Sequence, residues 1–237
     1  MACHEFGHNL GRWHANYWST GGETVTGSGT NSEYGNSFDT MGAANAGNYF
    51  FNAGHQNDIR WLPDENVTRV SRSGMYRIYQ QDQGRIDPAN RYLLAIKKDQ
   101  QRDYWCEFRQ RFTANRWLSS GVSLQWSPWG GGSTAGTAYG SNGGGQLLDS
   151  TPGSPDGKDD SAVVIGRTFS DAGAQVHITP VAKGGTVPES IDVVVNTGAF
   201  PGNQPPSLEL QASVISAALN EPVTFTATAV DPEGDPL

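Results

Sequence analysis

His4, Glu5, His8, Gly11 and His14 stand within one short stretch and spell H-E-x-x-H-x-x-G-x-x-H. Two histidines four residues apart on a helix share one face, one turn above the other, so both imidazoles can grip one ion. Glu5 lies about 100° further round the helix than His4. That keeps it off the ion and within reach of a water held there. Gly11 is the expected helix end, because a left-handed backbone costs glycine little. A sharp turn at that point brings His14 back toward the first two. Three neutral nitrogens plus one water make the open tetrahedral site of a catalytic zinc, whereas a structural zinc normally closes with a fourth protein ligand. Such an ion acidifies its water and polarises a carbonyl. Glu5 is placed to take the water's proton and return it to a leaving amine.

The elements that must position these groups are a helix over about 1–12, a long loop, and a second helix from about Asn52 to Trp61. The loop carries Tyr34-Gly35-Asn36-Ser37-Phe38-Asp39-Thr40-Met41-Gly42. This stretch resembles a Met-turn, the tight methionine-bearing turn beneath the zinc of metzincins. Together with the long histidine motif, it makes the chain resemble the metzincin zinc metalloproteases. Within them the chain is most similar to the gametolysin-like endopeptidases. The closer likeness rests on the phrasing H-E-F-G-H-N-L-G-x-x-H-A, on Phe38-Asp39-Thr40-Met41-Gly42, and on the segment His55 to Leu62 ending in Arg60-Trp61-Leu62.

The resemblance implies that His4, His8 and His14 are zinc ligands, Glu5 the general base and Met41 the structural floor of the site. It implies a protein or peptide substrate and a secreted or cell-surface location. Residues 1–66 would be the C-terminal part of a catalytic domain, two helices and the Met-turn, with the substrate-holding sheet and any secretion signal upstream. Several metzincins carry a tyrosine two residues after this methionine. Ala43 stands there instead, and Tyr34 and Tyr49 are the candidates to replace it. His55 is expected to have a packing or surface role on the second helix rather than to bind metal.

The 237 residues include 30 glycines and 13 prolines, which favours a loop-rich, mostly β architecture over a helical bundle. The net charge of −8 and the lack of a basic stripe argue against a nucleic-acid partner. No run of apolar residues is long enough for a membrane span. From Val67 the pattern has period two. Tyr76-Ile78-Gln80, Tyr92-Leu94-Ile96, Tyr104-Cys106-Phe108, Val122-Leu124-Trp126, Val176-Ile178 and Ile191-Val193-Val195 read as strands of an antiparallel β-sandwich over 67–200. The expected class is therefore α+β, mostly β. Asn203-Gln204-Pro205-Pro206 reads as a linker. Residues 201–237, with Val223, Phe225, Ala227 and Ala229 alternating with threonines, resemble the start of a truncated PKD-like or Ig-like module.

Two cysteines do not make a disulfide framework. Cys106 and Cys3 are both expected in core packing; the alternatives are a ligand or redox-switch role for Cys3, and a bond between the two in an oxidising compartment. Gly130 to Gly145 lacks a phosphate-loop ending and reads as a surface loop. Asp156, Asp159 and Asp160 form a solvated acidic turn, with calcium as the alternative occupant. The functional expectation is a zinc-dependent metalloendopeptidase. One alternative is an extracellular β module contacting cell wall or matrix, for which an exposed row of Trp105, Trp117, Trp126 and Trp129 would provide a carbohydrate platform. The other is an inactive fragment of the protease.

Overall fold

The period-two segments become strands, and their apolar sides face one another across a shared core. The computed structural model describes residues 2–22, 24–43, 50–128, 145–185, 187–199, 207–214 and 216–230. In chain order the first elements are α1 (Ala2–Asn9), β1 (Asn16–Ser19), β2 (Thr30–Ser32) and α2 (Ala53–Asp58). Then come β3 (Val67–Val70), β4 (Gly74–Tyr79), β5 (Leu93–Lys97), β6 (Arg102–Glu107), α3 (Arg116–Ser119) and β7 (Gly121–Pro128). The last are β8 (Gln146–Leu147), β9 (Val163–Val164), β10 (Phe169–Asp171), β11 (Val176–Gly184), β12 (Ser190–Thr197), β13 (Ser207–Ala212) and β14 (Phe225–Val230).

One sheet runs β2-β1-β8-β7-β6-β5-β3, with β9 also paired to β7, and a second runs β10-β11-β12-β4. Leu94, Tyr104, Cys106, Leu124 and Trp126 of the first sheet are buried in one cluster with Ile78, Ile178, Ile191, Val193 and Val195 of the second. Alternation on each strand is what presents these side chains to one face. Two pairings depart from the expected antiparallel pattern: β1 with β8 and β3 with β5 are parallel. A parallel pair needs a crossover. For β3 and β5, β4 supplies it by running in the other sheet between them.

The chain divides into two compact units, Met1–Gly198 and Ala199–Leu237. The first takes in both 1–66 and the sandwich, so the expected boundary at 66/67 runs inside it. The reason is β1 and β2, which arise in a stretch with no strand periodicity yet join the first sheet through β8. In the second unit β13 and β14 pair antiparallel, and every residue of both strands is exposed. The linker at 203–206, the segment 231–237, Tyr49, Trp129 and the glycine-rich stretch apart from Gly145 lie outside the described residues.

Both α1 and α2 are shorter than expected, for local reasons. After α1, Gly11 takes φ +77°, with Arg12 N–H donating to Gly7 O at 3.0 Å and Gly11 N–H to His8 O at 2.9 Å. This paired closure stops the helix and satisfies its last carbonyls. At α2, the Asn52 side chain accepts the His55 N–H at 2.8 Å, and Arg60 at φ 63° ends the turn that follows. No helix among the described residues is long and apolar enough to cross a membrane.

Cys106 is buried and Cys3 exposed, and both are free. Burial pushes the Cys106 thiol well up, which keeps it protonated and inert. The core position expected for Cys3 is corrected, because its side of α1 faces an open apolar cavity. Trp126 is buried, and Trp105 and Trp117 are half-buried. Of the aromatic row weighed as a carbohydrate platform, the three described members are thus not exposed.

α2 lies directly on β6. A Cβ at Gly54 would fall 1.5 Å from the Trp105 ring, so only glycine allows this approach. Gly54→Ala should lower unfolding stability by about 1–3 kcal/mol through overpacking. The same change in a Trp105→Leu background should cost less. Chemical denaturation of the two single variants and the double variant checks this. Equal costs in both backgrounds would refute the contact.

Candidate metal centre

α1 carries His4 and His8 on one face, both half-buried, and Glu5 is exposed beside them. The turn at Gly11 returns the chain so that buried His14 joins them. The three rings form a triangle, with centroids 4.9 Å apart for His4–His8, 5.5 Å for His4–His14 and 5.1 Å for His8–His14. One ligand nitrogen from each can be chosen so that all lie within 4.8 Å of one another. Among the described residues no other group of three His, Cys, Asp or Glu converges in this way.

The outward-facing nitrogens decide whether a metal fits. His4 Nδ1 lies 2.9 Å from Thr40 O, His8 Nδ1 2.8 Å from Arg12 O, and His14 Nδ1 2.7 Å from Glu33 Oε1. Each partner is a carbonyl or carboxylate oxygen, which only accepts, so each Nδ1 must carry the proton. The three Nε2 atoms are then left with free lone pairs, the form that ligates a metal. The donor set therefore suits a borderline ion such as zinc, and it stops at three.

Beneath this triangle lies Met41, fully buried with Ala15 and Phe51. A Cβ at Gly7 would meet Met41 Sδ at 2.3 Å, so α1 rests on the thioether through its glycine. The same turn ties in the other side of the site: Ala15 N–H donates to Met41 O at 2.9 Å, next to His14. Arg12, whose carbonyl holds His8, pairs through its guanidinium with Asp58 at the end of α2.

The turn itself is pinned by Asp39, a fully buried carboxylate. It accepts the Met41 N–H at 2.6 Å and the Asn52 N–H at 2.5 Å, and lies 3.4 Å from His55 Nδ1. His55 is buried in α2 against Asp39 and is not in the histidine triangle, as its expected packing role requires. Of the two tyrosines weighed for the site, Tyr34 borders it. Its ring centroid is 3.7 Å from that of His14 and 5.8 Å from that of His4.

The acidic turn gathers no comparable group. Asp160 is buried and accepts the Ser154 hydroxyl at 2.9 Å, and Asp159 offers its backbone carbonyl to the Asn115 side chain. On the far side of α1, Ala2, Cys3 and Phe6 face an apolar cavity of about 670 Å³ completed by Phe51, Trp61 and Ile86. Sequence reasoning missed Glu33, Asp58 and the anchoring role of Asp39. Glu33 and Asp58 act across 19 and 46 residues, distances at which spacing carries no periodic signal. Comparison with protein-family models, with curated proteins and with solved structures found no match.

Burial alone would raise the Asp39 carboxyl, but His55 and the N–H groups of Asn52 and Met41 outweigh it and hold it below the ordinary 3.8. A depressed folded-state value stabilises fully above the unfolded value and is lost as pH falls through the folded one. Stability should therefore drop as pH falls below about 3.8. Asp39→Asn should cost about 1–3 kcal/mol at neutral pH, because one buried N–H loses its acceptor, and should flatten that acid limb. Urea unfolding of both proteins at a series of pH values measures the two effects.

Proposed function

We propose that the chain carries the site of a zinc-dependent metalloendopeptidase of the metzincin, gametolysin-like kind, acting on protein or peptide substrates in a secreted or cell-surface setting. One observation carries this reading: all three histidines are hydrogen-bonded through Nδ1, which leaves each Nε2 bare, and the three rings are close enough that a ligand nitrogen from each lies within 4.8 Å of the others. The buried Met41 beneath α1 and the exposed Glu5 beside His4 support it further. A structural ion would ordinarily have a fourth protein ligand, and no fourth His, Cys, Asp or Glu joins the triangle among the described residues.

Each residue has a derived task. His4, His8 and His14 would hold the ion, and their Nδ1 partners keep the rings aimed. Zinc, when bound, supplies Lewis-acid polarisation of the scissile carbonyl and lowers the pKa of the attacking water. Glu5 would take a proton from the attacking water as its oxygen adds to the scissile carbonyl, and return it to the amide nitrogen, whose C–N bond then breaks to release the amine. Tyr34, exposed and packed against His14, borders the space a substrate would enter.

A second reading is a metal-binding but non-hydrolytic chain. The open cavity behind α1 favours it, because that helix is packed on one side only. The two readings diverge in one experiment. Under the first, the purified chain binds one zinc and cleaves quenched-fluorescence peptides, and a chelator abolishes cleavage. Glu5→Gln then retains zinc and loses activity by about 100-fold or more. One bound zinc with no cleavage across a broad peptide library favours the second. Wild-type rates in Glu5→Gln would sink the proposed mechanism.

A further inference from the structure

We propose that Glu33 is a positioning residue which fixes His14 as a metal ligand. The inference rests on the zinc reading of the histidine triangle. The three ligands are not held alike. His4 and His8 belong to α1, and their Nδ1 groups meet backbone carbonyls, of Thr40 in the Met-turn and Arg12 in the helix cap. His14 lies outside the helix, in the strand-like approach to β1. Its Nδ1 meets the Glu33 carboxylate at 2.7 Å.

The surrounding backbone is built to deliver that carboxylate. β2 pairs with β1 in a register that sets Ser32 opposite Tyr17, so Glu33 emerges one step further on, beside the chain that follows His14. Tyr34 N–H donates to the Asn16 side chain at 3.1 Å, Asn36 N–H to Ala15 O at 3.2 Å, and Ala43 N–H to Tyr34 O at 2.7 Å. Tyr34 also occupies the left-handed region at φ 60°, which a tyrosine adopts only under constraint. With its ring against His14, the imidazole is held on its face by Tyr34 and on its edge by Glu33.

The Glu33 side chain is 60% exposed. An exposed pair of this kind contributes little to folding stability. Its consequence lies in the ring it orients. A carboxylate accepting the Nδ1 proton fixes the tautomer that bares Nε2 and makes that nitrogen a better donor to the ion, and losing such a partner typically costs 10–100-fold in metal affinity.

The test measures zinc affinity of the whole chain by competition with a chromophoric chelator, for wild type, Glu33→Gln and Glu33→Ala. Glu33→Ala should lose about 10–100-fold in affinity, and Glu33→Gln less, since its amide oxygen still accepts the proton. The thermal midpoint of the metal-free chain should be unchanged in both. Nitrogen NMR of the metal-free wild type should report His14 protonated at Nδ1, a signature that Glu33→Ala loses. Wild-type zinc affinity in both variants would overturn the role of Glu33 and leave the zinc reading standing. A wild-type chain that binds no zinc would overturn both.

Discussion

Asp39 is fully buried, and its two carboxylate oxygens tie the turn that carries Met41 to α2 and its cap. It accepts the amide of Met41, two residues ahead, and the amide of Asn52, which caps α2, and it faces His55 within that helix. A buried carboxylate is costly unless its lone pairs are filled, so this geometry is tightly specified. The site depends on what Asp39 fixes. Thr40 offers its carbonyl to His4, Met41 offers its carbonyl to Ala15 beside His14, and the Met41 sulfur fills the space left by Gly7 in α1. A displacement of the turn would therefore reach two of the three histidines through hydrogen bonds and the helix itself through packing.

The sandwich participates in the same arrangement. At the end of β6, buried Glu107 accepts the Ala53 N–H of α2 at 2.5 Å and the Gln81 side chain at 3.2 Å. Arg109, also buried, donates to Phe38 O at 2.6 Å, immediately before Asp39. Burial pushes the Glu107 carboxyl up, and the Arg109 guanidinium opposes that rise. Arg109 lies 3.5 Å from Glu107 and 3.9 Å from Asp82, so removing it would leave two buried carboxylates uncompensated, which is far more costly than the pairing itself is favourable. The first sheet thus serves as a frame on which α2 and the turn at Asp39–Met41 are set, and one compact unit spans Met1–Gly198.

The parts legible in the sequence are those governed by short-range periodicity. Alternation placed Ile78, Leu94, Cys106, Leu124, Ile178 and Val193 on inward faces, and all are buried in the shared core. The histidine spacing and Gly11 foretold both the triangle and the left-handed turn that closes α1. What escaped notice is held by long-range pairing or by close approach. β1 has four residues and β2 three, too few for alternation to distinguish them from loop. Glu33 became significant only when their register set it beside His14. The parallel β3–β5 pair could not be read because the intervening strand leaves for the other sheet. Cys3 was misjudged because a helical face shared with Leu10 says nothing about what lies opposite it.

An eight-residue helix such as α1 is marginal by itself, since nucleation fixes several dihedral angles before propagation repays them. Its persistence must come from tertiary contacts: Met41 and Phe51 against Gly7, the His4 ring with Thr40 O, and Arg12 with Asp58. The side with Cys3 and Phe6 faces the apolar cavity. A ligand that bridges His4 and His8 to His14 would join α1 to the segment entering β1 by a further link. Any group that binds only the folded arrangement adds its binding free energy to the stability of that arrangement. Binding at the three imidazoles and the stability of α1 would then be thermodynamically linked. The Nδ1 hydrogen bonds on all three rings orient them in advance, so that a ligand binding there would cost less conformational freedom.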